Sequence, residues 1–68
     1  MRDKARIPRM INKINRIWKQ QPDLRLGQII EIAHGKSGSQ ADVFNVEDDI
    51  LEEGIDLLLN ELDRTLGT

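Results

Sequence analysis

The side chains with catalytic potential lie in the stretch HGKSGS, residues 34–39. His34 is the single histidine, a residue type that titrates near neutrality, and Ser37 and Ser39 carry hydroxyl groups. A serine nucleophile needs a base within hydrogen-bond reach, and nothing in the spacing places either serine beside His34. A phosphate-binding loop would need a glycine where Ile30 stands and a buried strand before it. We therefore predict a flexible loop, a solvent-facing His34 and no enzymatic activity.

A run of carboxylates in the last third is the next candidate, here for a divalent cation: Glu47, Asp48, Asp49, Glu52, Glu53 and Asp56. A calcium loop of the EF-hand type needs alternating oxygen ligands around a central glycine. The candidate loop, DVFNVEDDILEE at residues 42–53, lacks that glycine and has Val43 and Val46 inside it. Because the chain also has no cysteine and one histidine, thiolate and histidine-based metal sites are excluded as well. We predict no metal and no cofactor, and interpret the carboxylates as a solvated acidic helix face.

Basic residues concentrate at the opposite end of the chain. Residues 1–25 have a net charge of +6 and residues 26–68 a net charge of −8, which together give the overall −2. On a helical wheel, five cations fall within about 80° of one another: Arg2, Arg6, Arg9, Lys13 and Arg16. Two interpretations stay open. Arg9, Lys13 and Arg16 contact the phosphates of a nucleic acid or ribosome, or the stripe complements the acidic helix of its own chain.

The elements that position these side chains are predicted to be helices. An apolar stripe of about 120° predicts a first helix over residues 5–20: Ile7, Met10, Ile11, Ile14, Ile17 and Trp18. Pro8 is acceptable only in its first turn, and Pro22 forces the helix to end just before it. Trp18 lies on the apolar arc, so we predict that its ring is in the core and that its N–H binds a carbonyl group. The alternative is an exposed ring that contributes to an interface.

A second helix is predicted over residues 24–35. Asp23 stands where an N-cap belongs, and its carboxylate would accept a hydrogen bond from the first turn. Leu26, Ile29, Ile30 and Ala33 share one face of this helix, while Leu24 and Ile32 fall off it. Gly27 would let a neighbouring helix approach closely.

A third helix is predicted over residues 46–64. Asn45 is its expected N-cap, and Glu47, Asp48 and Asp49 place negative charge in the first turn, where it meets the positive end of the helix dipole. Residues 42–44 are too short a stretch to decide between a strand and a loop. The predicted fold is all-α, a compact three-helix domain formed by residues 1–68.

The third helix has more apolar surface than one core contact uses. Leu57, Leu58 and Leu59 are consecutive, so they point in three directions. Patches of this kind usually mark interfaces, and we predict one at four leucines: Leu57, Leu59, Leu62 and Leu66. The predicted function is a protein-interaction module that forms a homodimer or binds a partner protein. The alternative is a nucleic-acid or ribosome-associated factor that uses the basic first helix.

An ordered set of short motifs accompanies these elements. W-x-x-x-P-D begins at Trp18, L-x-Q begins at Leu26, a serine-glycine loop follows, and D-D-I-L begins at Asp48. In this order and spacing the stretch from about residue 17 to 51 resembles the YihD-like family of small bacterial proteins of unknown function. The resemblance implies a small helical cytoplasmic protein and supplies no reaction or catalytic residue. The basic N-terminal segment and the early end after the third helix depart from the family pattern.

The chain also has no apolar run of signal-peptide or membrane-spanning length. We therefore predict a soluble, cytoplasmic protein that does not enter a membrane.

Overall fold

The computed structural model describes residues 3–66, which form three helices. These are α1 (Arg6–Gln20), α2 (Leu26–Ser37) and α3 (Asp48–Leu66). No strand occurs between residues 3 and 66, so the predicted all-α, three-helix architecture is confirmed. Residues 43–45 form a turn, which answers the question that the sequence left open for residues 42–44. None of the described helices is long and apolar enough to cross a membrane.

Helix α1 begins and ends where its two prolines predict. Pro8 is its third residue, a first-turn position at which the missing N–H has no intrahelical acceptor to lose. At the other end the backbone N–H of Gln21 donates to the carbonyl oxygens of Ile17 (3.0 Å) and Trp18 (3.2 Å). Gln21 itself leaves the helical conformation, as the residue before a proline is expected to do.

The start of α2 differs from the prediction. Asp23 is not the N-cap, because it lies in a turn closed by the Leu24 N–H donating to the Gln21 carbonyl at 3.1 Å. Arg25 takes the cap position, and its backbone N–H donates to the side-chain oxygen of Gln28 at 2.7 Å. The glutamine side chain therefore satisfies a backbone donor at this helix start. At its far end α2 runs to Ser37, two residues beyond the prediction.

The start of α3 is also two residues later than predicted, at Asp48 rather than residue 46. Asn45 is not its N-cap, because its backbone N–H donates to the Asp42 side chain at 3.0 Å within the preceding turn. Asp48 and Asp49 occupy the first turn of α3, as predicted, whereas Glu47 precedes the helix, so its predicted place in that turn is wrong. The N-terminal end of this helix thus has the negative charge that its dipole favours.

The core lies where α3 meets the other two helices. Its buried members are apolar residues from all three helices: Ile17, Ile29, Ala33, Ile55, Leu58 and Leu59. Helices α2 and α3 make the most extensive contact, and α1 packs on α3 more than on α2. Helices α2 and α3 approach closely at Gly54 of α3, where an added methyl group would overlap the Ala33 carbonyl oxygen. The prediction that Gly27 allows a close approach is wrong, since the space beside it is open.

Candidate functional site

An apolar groove lies between α1 and the start of α2, and we call it the α1–α2 groove. Its volume is about 370 Å³. Four apolar and two amide side chains line it: Ile11, Asn12, Ile14, Asn15, Trp18 and Leu26. Concave sites with apolar walls and a few polar groups at the edge are where proteins usually bind ligands or partner side chains.

The groove exists because only part of the apolar stripe of α1 enters the core. Ile17 is fully buried, and Met10 and Ile14 pack against the core. Ile11 is 57% exposed, and Ile7 is exposed to a similar extent. The sequence predicted that the whole stripe faces the core, which is wrong for these two isoleucines. Because α1 contacts α2 weakly, the side of the stripe that points toward α2 is left open.

Trp18 forms the end of this open side. The prediction of a core tryptophan is wrong, because the side chain is 38% exposed. The predicted carbonyl partner is confirmed, since the indole N–H donates to the Leu24 backbone oxygen at 2.7 Å. This hydrogen bond spans the connection between α1 and α2 and fixes the orientation of the ring. Trp18 thus presents a fixed aromatic wall to the groove.

Two cations, Lys19 and Arg25, lie in the chain next to residues of the groove, with the carboxylate of Asp23 between them in sequence. Lys19 and Pro22 line a second, open depression that shares Asn15 and Trp18 with the groove, and Arg25 directly precedes Leu26 in the chain. Lys19 and Arg25 are exposed, and neither forms an ion pair with another residue of the described range 3–66. An incoming carboxylate would therefore find two unpaired cations next to the apolar wall.

The leucines of α3 do not form the predicted surface. Leu59 is only 5% exposed, so its prediction as an interface residue is wrong, and Leu62 packs against the core. Leu57 is 50% exposed, as an interface residue should be, and the side chain of Leu66 lies outside the described residues. The reason is that α3 contacts both other helices, so its wide apolar arc is used within the chain.

A ladder of ion pairs joins α1 to α3, and we call it the α1–α3 ladder. Its N···O distances range from 2.7 to 2.9 Å. The pairs are Arg6–Asp48, Arg9–Glu52, Lys13–Glu52, Lys13–Asp56 and Arg16–Asp63. Because successive partners advance along both helices together, α1 and α3 run in the same direction. The basic stripe of α1 therefore faces the acidic helix of its own chain, one of the two interpretations that the sequence left open.

Glu52 is the centre of this ladder. Its carboxylate accepts hydrogen bonds from Nε (2.7 Å) and an Nη (2.9 Å) of Arg9, and a third from Lys13 Nζ (2.8 Å). The Arg9 hydrogen bonds first, and that of Lys13 second, lower the pKa of Glu52 to about 2. The phosphate-contacting role of Arg9, Lys13 and Arg16 stays a prediction. A phosphate would have to compete with carboxylates already bound to all three cations.

The predicted catalytic candidates have structural partners. His34 is half-buried, so the prediction of a solvent-facing histidine is wrong, and its Nε2 lies 2.6 Å from the Ala41 carbonyl oxygen. The Ser37 hydroxyl donates to the backbone oxygen of His34 at 2.6 Å, so it points to the main chain rather than to the imidazole. These bonds attach the loop after α2 to the end of that helix. Within residues 3–66 no three acidic or histidine side chains cluster as metal ligands would.

No protein-family model, no curated protein and no solved structure matches this chain. The fold and the groove therefore define the class of protein only as a small all-α domain with an open apolar groove. The resemblance to the YihD-like family stays a prediction based on the motifs alone.

Proposed function

We propose that the protein is a cytoplasmic protein-interaction module that binds a polypeptide in the α1–α2 groove. The observation that carries the proposal is the convergence of exposed Ile11, Trp18 and Leu26 on one concave surface. Isolated exposed apolar residues are ordinary, whereas several that line one groove usually mark an interaction site.

The composition of the groove favours a polypeptide as its ligand. Tryptophan is enriched among the residues that dominate binding energy at protein interfaces. Trp18 is held in place by its hydrogen bond to Leu24, so little side-chain freedom would be lost on binding. The amide groups of Asn12 and Asn15 lie beside the apolar wall, where they can pair with the backbone of a bound chain.

The ion pairs of α1 weigh against the alternative, a nucleic-acid or ribosome-associated factor. The cations proposed for that role are bound to carboxylates of α3. Binding a polyanion would break these contacts and leave the acidic face of α3 beside the phosphates. The groove requires no such rearrangement.

Site-specific photo-crosslinking in the cells that produce the protein tests the proposal. A photoreactive phenylalanine analogue replaces Asn15, which lines the groove. The matched control replaces Asn60, an exposed asparagine of α3 that does not line it. We expect discrete polypeptide adducts, identified by mass spectrometry, from the Asn15 position and not from Asn60.

Two outcomes would overturn the proposal. One is the same set of adducts from both positions, which would indicate collisions rather than a site. The other is crosslinking of the Asn15 position to nucleic acid alone, which would favour the alternative function.

A further inference from the structure

We propose that the α1–α2 groove receives Phe44 of a second copy of this chain. This inference rests on the proposed function and deepens it by naming the partner. Phe44 is 93% exposed, the largest exposed fraction among the large apolar side chains of the described residues. Neither the core nor the groove of its own chain contains it. Its exposure has no explanation in the fold of a single chain.

The turn that carries Phe44 is closed by hydrogen bonds on both sides of it. The Asp42 side chain accepts from the backbone N–H of Asn45 at 3.0 Å and from its amide Nδ2 at 2.7 Å. The Asp42 carbonyl oxygen accepts from the Val46 N–H at 2.9 Å. Phe44 is therefore held at the tip of an ordered turn.

The same turn is attached to α2 by a second set of hydrogen bonds. The Ser39 N–H donates to the Ser37 hydroxyl oxygen (3.2 Å), and the Ala41 N–H donates to the Ser39 hydroxyl oxygen (3.1 Å). His34 Nε2 bonds the Ala41 carbonyl oxygen at 2.6 Å. A side chain presented on a fixed support loses less conformational entropy on binding, which is how an anchor residue of an interface is usually arranged.

The groove suits an aromatic ring in size and in surface. Its volume of about 370 Å³ is at the small end of ligand sites, which begin at roughly 300 Å³. Aromatic side chains bury on the order of 150–250 Å² each, and pairs of rings prefer edge-to-face or offset contacts. Trp18 supplies such a partner ring, and Ile11 and Leu26 supply aliphatic contacts.

The charges around the two surfaces are complementary. Asp42 lies two residues before Phe44 and Asp49 five residues after it, and both are exposed. Neither carboxylate forms an ion pair with another described residue, just as Lys19 and Arg25 beside the groove form none. Insertion of Phe44 would bring unpaired acids toward unpaired cations and steer the encounter.

In a reciprocal dimer each copy inserts its Phe44 into the α1–α2 groove of the other, so the dimer contains two identical Phe44–groove contacts. The two rings alone would bury about 300–500 Å², and stable interfaces generally bury more than about 1,000 Å². The self-association is therefore weak, with dissociation in the micromolar range or above.

The test is sedimentation equilibrium of the full chain from about 10 μM to about 1 mM, the range in which weak complexes dissociate. Three variants of exposed apolar residues are compared: Phe44→Gln at the turn, Ile11→Gln in the groove and Leu57→Gln on α3. Thermal melts confirm that each is folded. We expect a concentration-dependent dimer that Phe44→Gln and Ile11→Gln each weaken at least about tenfold and Leu57→Gln leaves unchanged.

Mixing adds a specific readout. The Phe44→Gln chain retains its groove and the Ile11→Gln chain retains its Phe44, so an equimolar mixture can form one intact insertion. We expect the mixture to associate more strongly than either variant alone. The indole N–H resonance of Trp18 should shift with concentration in the native chain and not in Phe44→Gln.

A native chain that stays monomeric to 1 mM, with a concentration-independent Trp18 resonance, would overturn this inference. So would a dimer that Leu57→Gln dissociates and Phe44→Gln does not, because it would place the interface on α3. In either case a different polypeptide crosslinked at Asn15 would still support the proposed function, so the two failures are distinguishable.

Discussion

Gly54 of α3 packs directly on the backbone of Ala33 in α2, with no room for a side chain between the two helices. The main chain of Ser37 lies against the same glycine one turn later. The fully buried Ile29 and Ile55 lie in the same core, so this contact brings the two main apolar helices together. Its position fixes where α2 crosses α3.

Gly54→Ala should therefore destabilise the fold strongly. The new methyl group would overlap the Ala33 carbonyl oxygen, and overpacking costs typically about 1–3 kcal/mol or more. Gly35→Ala is the matched control, because it is also a helical glycine but has open space beside it. We expect that control to stabilise the protein by about 0.5–1 kcal/mol through helix propensity. Urea denaturation measures both, and equal effects would contradict the close contact.

Glu52→Gln should lower the free energy of unfolding by about 1–2 kcal/mol at neutral pH, because the hydrogen bonds from Arg9 and Lys13 would no longer join two charged groups. The loss is not larger because solvent already screens part of the attraction between these groups. Glu53→Gln is the control, since that neighbouring carboxylate is exposed and has no ion pair among the described residues. We expect the control to change stability by less than about 0.5 kcal/mol. Similar losses in both variants would mean that α3 is sensitive to net charge and not to the Glu52 contacts.

The low pKa of Glu52 predicts a pH dependence of stability. Its pKa falls from an ordinary 4.5 to about 2 in the folded protein, so its contribution is complete above about 4.5. That contribution is lost as the pH falls from about 4.5 toward 2, where both states become protonated. The difference in unfolding free energy between the native chain and Glu52→Gln should accordingly shrink over this range. A difference that stays constant from pH 7 to pH 2 would be inconsistent with the lowered pKa.

Gln28→Ala should destabilise the start of α2 by about 0.5–1 kcal/mol, since it leaves the Arg25 backbone N–H without its acceptor. Asp23→Ala tests the position that the sequence favoured. We expect it to have an effect below about 0.5 kcal/mol, because Asp23 is exposed and precedes the cap. Thermal melts of the two variants show which side chain stabilises the start of α2. A larger loss of stability for Asp23→Ala than for Gln28→Ala would mean that α2 begins earlier than Leu26.

The helical architecture could be predicted because apolar periodicity and proline act locally. Pro8 and Pro22 define the limits of α1 through their own backbone geometry, wherever the helix packs. Caps were predicted less well because several polar residues near each helix start are chemically suitable. The side chains of Asp23 and Gln28 can both accept a hydrogen bond from a free backbone N–H at the start of α2. The path of the chain from α1 determines which of the two does so.

The groove could not be predicted because it depends on how the helices are arranged. Ile11 and Trp18 belong to the apolar stripe of α1, and this pattern in the sequence is the same whether or not α2 covers them. In the structure α2 packs mainly on α3, so they stay uncovered. For the same reason the leucines of α3 looked like surplus surface, although Leu59 is buried in the core. Two signals were present in the sequence: Phe44 lies outside the three predicted helices, and Gly54 lies inside the third one.

The α1–α3 ladder gives α1 two kinds of attachment. Its last turns are held by the buried Ile17 as well as by the Arg16–Asp63 ion pair, while its first turn, beside an exposed Ile7, is attached to α3 through the charges of Arg6 and Arg9. Dissolved ions weaken the second kind and leave the first almost untouched. We expect amide exchange in concentrated salt to quicken progressively from Ile17 back toward Arg6. The α2–α3 pair should change much less, because a buried apolar core joins these helices beside the Lys36–Glu61 ion pair. On this expectation, the first turns of α1 open more often as the ionic strength of the surroundings rises.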